Sequence, residues 1–397
     1  MGAGPVGAGA ALLLKRAGIA ARIIEKAEEP SRHSKALAVN PRTLELLQST
    51  GVTDKMLALG LRIRTVRFHF SRSKTAELSF DSLQHEYPFM LALSQATTER
   101  LLKEALAAAG EKVECGTELI ACRTSEGGVE AQLRHSSDGS IENVNCPWLL
   151  AADGAHSTVR KSLNIQFCGS SFEKPWYLVD IPLTTRLEQH FGHVFFPKGG
   201  GFIFLIRVVD ETTERSQGPK LWRVISDAQN CVEQIPDVIP AASAVWTSEF
   251  YISHRINEHL QAGNIYFAGD AAHIHSPMGA RGMNLGLEDA WVFSRLVELN
   301  RINDYERLRY DCDHAVVKRV ELLSRMALGE SFFKRAARAV LIRGLLRMSF
   351  MRKMFLTTAS GLDHSLELEK RSTAAQSSAS REGHSVVHRR TASHHAR

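Results

Sequence analysis

Apolar and polar positions along the chain recur with different periods, and each change of period marks an element. Residues 5 to 17 repeat at helical spacing, with Pro5 in the first turn and Gly18 where a C-terminal glycine cap belongs. A short strand, Ala21 to Ile24, follows. Asn40 to Leu47 and Thr98 to Ala109 have helical patterns, the second ended by Gly110. Between them, Val66 to Phe70 and Ala76 to Phe80 alternate residue by residue, as half-buried strands do. From 113 to 152 short strands are broken by the turn signals Gly127-Gly128 and Asp138-Gly139 and end in the apolar run Trp148 to Ala152.

From about 167 the pattern changes. Val194 to Phe196, Phe202 to Val209 and Leu221 to Ile225 read as strands of an antiparallel sheet with long polar connections, a block reaching 252 that predicts a separate domain. Ile265 to Ala268 predicts a short buried strand and Gly282 to Leu299 a helix. Residues 331 to 356 set Phe333, Leu341, Leu345, Met348 and Phe355 among seven cations and no acid. This predicts a basic amphipathic helix packed on the body, with an anionic membrane surface as the alternative partner. The tail from Lys370 has little apolar content and no period, which predicts disorder.

Composition adds bounds. With 397 residues, 44% of them apolar, the chain can bury one or two substantial cores and lies outside the disordered and fibrous classes. Residues 370–397 hold six Lys/Arg against Glu382 alone, so +5 of the net +6 lies in the tail, and the near-neutral body argues against nucleic acid. The six cysteines fall singly, with no CxxC pair, which argues against a zinc site or a disulfide framework and for a reducing, cytoplasmic compartment. Lys15 and Arg16 interrupt the apolar start too early for a secretory signal, and Val6 stands where N-myristoylation needs Ser or Thr. No apolar run reaches the ~20 residues of a membrane-spanning helix.

Three stretches carry chemistry. Gly2, Gly4 and Gly7 have the GxGxxG spacing that lets backbone approach a pyrophosphate at a helix N-terminus. Glu25 ends the next strand, where an acid would bond the ribose hydroxyls of a dinucleotide; the alternative is a small-residue helix start with a surface glutamate. In Ala151 to Arg160 a strand runs into Asp153-Gly154, with Ser157 placed to cap a short helix. In residues 263 to 290 (GNIYFAGDAAHIHSPMGARGMNLGLEDA) a buried strand delivers Gly269 and Asp270, an acid able to bind a polyol hydroxyl. A Pro/Gly loop then enters the helix near Gly282, whose free N–H groups suit a group that gains negative charge. His273 and His275 have no third ligand nearby in sequence, so no metal is expected. His193, Tyr177 and Tyr251 are candidates to touch a phenol, and Phe195, Phe196, Phe202 and Phe204 suit the floor of an apolar pocket.

In this order, Gly2-Ala3-Gly4-Pro5-Val6-Gly7, Glu25-Lys26, Asn40 to Glu45, Gln95 with Thr98-Glu99, Asp153-Gly154 and Gly269-Asp270-Ala271-Ala272-His273 make the chain resemble a known family from residue 2 to about 320. It is the FAD-dependent aromatic hydroxylases, the group A flavoprotein monooxygenases with the p-hydroxybenzoate hydroxylase fold. The resemblance implies an α/β protein with a Rossmann-like FAD-binding domain, its first strand truncated, over 1–65, 91–166 and 253–330. It further implies an antiparallel-sheet substrate domain inserted at 66–90 and 167–252; beyond the resemblance, the residue pattern adds a C-terminal helical segment at 331–369 and a disordered basic tail at 370–397. Gly2, Gly4 and Gly7 would hold the FAD pyrophosphate, Glu25 the adenosine ribose, Gln95 the flavin side, and Asp270, after Gly269, the ribityl chain. Lys26, Lys35 and Arg42 join this cofactor set, and Asp153 and Gly154 belong to a motif associated with both FAD and the pyridine nucleotide. Pro277 through Asn284 would line the isoalloxazine, with the Gly282, Met283 and Asn284 amides stabilising negative charge.

The implied reaction is reduction of FAD by NADPH or NADH, capture of O2 as a flavin C4a-hydroperoxide, and hydroxylation of an aromatic or polyketide-like small molecule. No second GxGxxG unit appears, in keeping with a nicotinamide that visits transiently. No catalytic base is singled out. Two alternatives remain at this level: a membrane-surface quinone or prenyl-lipid hydroxylase, and a truncated, non-catalytic FAD-fold protein. Three features depart from the family pattern: Lys35 where an arginine is usual, Ala280-Arg281 where Gly-Gln is common, and Met1 alone where a central strand is expected. Unmade buried hydrogen bonds cost about 1–3 kcal/mol each, so the expectation is a native start upstream of Met1.

Overall fold

A computed structural model describes residues 1–29, 36–70, 75–197, 201–209, 218–328, 344, 347–366 and 368. The helix Pro5–Arg16 starts at a proline, which needs no N–H partner in the first turn, and its chain turns away at Gly18, with a φ of 75°. Its small residues let it run close against the helix Gly282–Glu298: a Cβ at Gly9 would lie 2.7 Å from Leu287 Cδ2. Two short parallel pairings stand beside this helix pair, Ile24–Glu25 with Glu114–Cys115 and Leu149–Ala151 with Ile265–Phe267. Met1 and Gly2 bridge them. The Met1 amino group donates to Leu150 O at 2.9 Å, Ala152 N donates to Met1 O at 2.8 Å, and Gly2 N donates to Ile24 O at 3.0 Å. The first two residues thus lie in the lane of the expected strand.

The turn signals at Gly127-Gly128 and Asp138-Gly139 join Thr117–Ser125, Gly128–His135 and Ile141–Cys146 into a three-stranded antiparallel sheet. A larger sheet of nine strands walls the other side of the site. Its order is His273–Ile274, Trp246–Asn257, Phe167–Thr185, Lys220–Ser226, Ile203–Arg207, Phe191–Phe195, Thr65–His69 and Thr75–Ser79, with Val238–Pro240 also against Phe167–Thr185. All pairs are antiparallel except one: Phe191–Phe195 lies parallel to Thr65–His69, the seam that joins two distant pieces of chain. Part of the polar stretch expected to connect strands is itself a strand. Phe167–Thr185 runs 19 residues, and its register shifts between Ser171 and Pro175, where a proline cannot donate to the ladder. Both faces of this sheet are covered, one cluster holding Leu205, Trp222 and Val224 and another Trp176, Leu178 and Ile225.

Residues Met1–Asp363 form one unit, and residues from His364 onward a second, of which only 364–366 and 368 are described. Tyr305–Leu328 and Ser349–Ser360 are helices. The basic amphipathic helix expected at 331 to 356 lies largely outside the described residues, as does the tail from Lys370. No described helix is long and apolar enough to cross a membrane.

Candidate functional site

A cavity of about 650 Å³ runs from the glycine turn, past the loop before Gly282, to the nine-stranded sheet. At the turn, the three glycines answer to different neighbours. A Cβ at Gly2 would meet Ala152 O at 2.3 Å and one at Gly7 would meet Gly2 O at 1.9 Å, so both are demanded by packing. A Cβ at Gly4 would meet nothing within 4 Å, and Gly4 lines the cavity. Gly4 is also the N-cap of Pro5–Arg16, with no side-chain cap and no acid in the first turn, so the helix presents unsatisfied N–H groups there. Glu25 accepts from Ala3 N at 2.8 Å and from Ala27 N at 3.1 Å, and so braces the same turn. One oxygen of Asp153 caps the helix Thr158–Ser162 through Thr158 N at 2.7 Å; the other is buried without a partner. Gly154, Gln95 and the exposed Asp270 line the cavity.

The loop over 269–284 is held from below. Gly269, with a φ of 58°, donates from N to Asp289 Oδ2 at 2.9 Å. Asn284 is buried and ties its own loop to the 38–40 segment: its Oδ1 accepts from Asn40 N at 3.0 Å, and its Nδ2 donates to Ala38 O at 2.9 Å and Ala280 O at 2.6 Å. Pro277, Gly282 and Met283 face the cavity; Asn284 supports them from behind. His275 also lines the cavity. Its Nδ1 lies 2.9 Å from Ser276 O and must donate to that carbonyl, which leaves Nε2 an acceptor with no partner in the protein. Burial lowers its pKa to about 3, so the ring stays neutral.

Beneath the loop, His273 finds the neighbours the local sequence did not offer. Its Nε2 lies 2.8 Å from Asp289 and 3.8 Å from Asp313, and ligand atoms of the three residues fall within 4.8 Å of one another. Arg309 already bonds both carboxylates, to Asp289 at 2.7 Å and to Asp313 at 2.5 Å, and so supplies the positive charge that a cation would bring. Burial pushes the Asp313 carboxyl up to about 7. Burial disfavours charge on His273 and Asp289 as well, but their opposite neighbours prevail, raising the imidazole and lowering the Asp289 carboxyl.

At the sheet end the wall is apolar, with Trp176, Leu178, Phe196, Phe202 and Phe204 among its residues and Arg223 as a cation. Arg223 is held bidentately by Asp180 at 2.7 Å through both Nε and Nη2. Of the three expected substrate contacts, only Tyr251 reaches the cavity. His193 is fully buried off the cavity, pairing with His69 Nε2 at 3.1 Å and Glu188 O at 2.9 Å, because Val194 takes the cavity face of that strand. The same alternation turns Phe195 to stack on His69, and Tyr177 lies between the lining residues Trp176 and Leu178 without lining the cavity itself. Arg42 bonds Gly361 O at 3.3 Å and Glu45 at 3.1 Å, and the exposed Lys26 pairs with Glu118 at 2.6 Å; neither lines the cavity. Lys35 lies outside the described residues. Trp176, Arg223, His275 as a lining residue, and Phe355 from the helix Ser349–Ser360 were not anticipated; the period-two pattern around Trp176 was the available signal.

The family described as FAD binding domain matches residues 1–299. Among curated proteins, the chain is 32% identical over 308 residues to the 6-methylpretetramide 4-monooxygenase of Streptomyces rimosus, covering 73% of this chain and 53% of that one. It is 29% identical over 302 residues to the pentachlorophenol 4-monooxygenase of Sphingobium chlorophenolicum, covering 73% and 56%. The chain spans about half the length of these relatives. Among solved structures, the p-nitrophenol 4-monooxygenase from Pseudomonas putida DLL-E4 shares the fold, with a TM-score of 0.77 over 90% of this chain and 96% of its own at 18% identity.

Proposed function

Because the chain belongs to the FAD-binding domain family, we propose that it is an FAD-dependent monooxygenase that uses NADPH or NADH and O2 to hydroxylate an aromatic or polyketide-like small molecule. The observation that carries this reading is the continuity of one cavity from a phosphate-accepting turn to an apolar wall. When bound, FAD supplies the electron transfer from nicotinamide and the activation of O2. The chain's own residues supply position, dryness and electrostatics. The bare surface at Gly4 and the N–H groups of Pro5–Arg16 suit a pyrophosphate, with Glu25 beside it for the adenosine ribose, and Asp270 suits a polyol. Gly282 and Met283 line the cavity and begin a 17-residue helix, whose N-terminal end suits negative charge there.

At the sheet end, Trp176, Phe202 and Phe204 exclude water and accept a flat apolar ring. The neutral His275 offers an acceptor for a substrate hydroxyl, and its depressed pKa makes it an orienting group in preference to a base. The relatives named above are, by their names, monooxygenases of 6-methylpretetramide and of pentachlorophenol. The test is an absorption spectrum of the purified protein supplied with FAD, followed by NADPH and NADH consumption with p-nitrophenol, pentachlorophenol and a tetracyclic polyketide as probes. A bound-flavin spectrum and a hydroxylated product are expected; absence of bound flavin overturns the proposal.

A further inference from the structure

The helix Ser349–Ser360 forms one side of the cavity. Phe355, Thr358 and Ala359 line it, and Leu356 is buried in one cluster with Ile206, Val208 and Leu221 of the sheet side. The helix ends at Gly361 with a φ of 78°, and that turn is seated tightly. A Cβ at Gly361 would lie 2.6 Å from Arg281 Nη1 and 2.9 Å from Asn40 Nδ2. Asp363, just beyond, accepts from Arg319 Nη1 at 2.6 Å and from Arg281 Nη2 at 3.5 Å.

Arg281 itself is fully buried, and its Nη1 donates to Glu288 Oε1 at 3.1 Å. Its guanidinium therefore lies between a carboxylate of the helix Gly282–Glu298 and one that follows the helix Ser349–Ser360. Arg281 does not line the cavity and is engaged by carboxylates of two elements, so position is what it contributes. The preceding Ala280 is held at a φ of 54°, a conformation that a non-glycine residue keeps only under constraint from its surroundings.

We propose that Arg281 is a positioning residue that, through Asp363, clasps the helix Ser349–Ser360 as a wall of the cavity and couples closure of that wall to the conformation of the 277–284 loop. The coupling to cofactor rests on the flavin reading above; the clasp does not.

The test is amide hydrogen exchange on the full chain, with and without FAD, in the wild type and in Asp363→Asn, Arg281→Gln and Arg281→Lys, with quenching of flavin fluorescence as a separate readout of binding. FAD is expected to slow exchange in 349–360 of the wild type. Asp363→Asn is expected to speed exchange there about tenfold and remove its dependence on FAD, with Pro5–Arg16 unchanged. Arg281→Lys is expected to recover part of the protection lost in Arg281→Gln. Should Arg281→Gln fail to fold, Asp363→Asn compared with Arg319→Gln decides: Arg319→Gln breaks only the 2.6 Å bond to Asp363, and equal exchange in those two variants overturns a role for Arg281. Equal exchange in 349–360 of FAD-free wild type and Asp363→Asn overturns the clasp. Protection indifferent to FAD, in a wild type that quenches flavin, overturns the coupling. A wild type that does not quench flavin overturns the proposed function instead, and the FAD-free comparison still reads the clasp.

Discussion

Gly4 and Gly7 stand in one turn, yet a methyl group added to each has opposite consequences. At Gly4, φ is −67° and the added Cβ meets open cavity, so Gly4→Ala is expected to melt like the wild type. The methyl then occupies the surface proposed above for a pyrophosphate, and flavin-fluorescence titration is expected to show FAD affinity reduced about tenfold, equivalent to ~1.4 kcal/mol. At Gly7 the added Cβ would sit 1.9 Å from Gly2 O, against backbone that cannot move aside. Gly7→Ala is expected to lower unfolding stability by about 1–3 kcal/mol or more in denaturant titrations. Both glycines were legible as a pair in the sequence, because GxGxxG spacing is local. Their division of labour was not, since it depends on Ala152 and Gly2 closing over one position and leaving the other bare.

Within a single strand, neighbours separate fold from site in the same way. In Ile203–Arg207, Leu205 is buried in the cluster with Trp222 and Val224, whereas Phe204 lines the cavity. Leu205→Ala is expected to cost about 2–5 kcal/mol of stability and to spare the affinity for an aromatic probe such as p-nitrophenol. Phe204→Ala is expected to weaken probe binding with a smaller loss of stability; thermal melts and probe titrations on both variants check the contrast. Alternation announced these strands, but not which face carries the site. A sheet covered on one side only reads apolar-in and polar-out, and here both faces are covered, so His193 and Val194 looked equally inward. Phe167–Thr185 was hidden for another reason: the exposed Ser170, Ser171, Glu173 and Lys174 read as loop, and Pro175 broke the period. The helix Gly282–Glu298 was readable almost to its ends, because its start and stop are written locally. The contact of Arg281 with Asp363 joins positions far apart in sequence, and no local pattern carries it.

Across the whole molecule, the buried charges set an acid–base signature. Burial lifts the Asp313 carboxyl to about 7, against ~4 in an unfolded chain. Between those values the folded protein keeps a proton that the unfolded chain has released, so this group makes stability fall as pH rises from about 4 to 7 and adds no slope beyond. His273, also raised, contributes stability that is present below ~6.5 and is lost as pH climbs through its higher folded value. Glu142, held at about 2 chiefly by hydrogen bonds from Arg22, acts with opposite sign and loses its contribution as pH falls towards that value. His275, lowered by burial to about 3, and His69 and His254, lowered to about 4, also oppose Asp313 and His273, and more strongly, because the unfolded rings bind protons below ~6.5 that the folded ones refuse. Melting temperature is therefore expected to rise from about pH 4 towards neutrality, and Asp313→Asn, which removes the falling contribution of that carboxyl, to steepen that rise. The parallel seam between Phe191–Phe195 and Thr65–His69 bears on how the molecule is made. During synthesis the hairpin Thr65–Ser79 emerges early and must wait, one edge open, until the chain has been extended through Phe195. An open strand edge recruits whatever strand it meets first, so slower translation would be expected to favour capture by neighbouring copies before the native partner arrives, and a chaperone that shields that edge would raise the yield of folded protein.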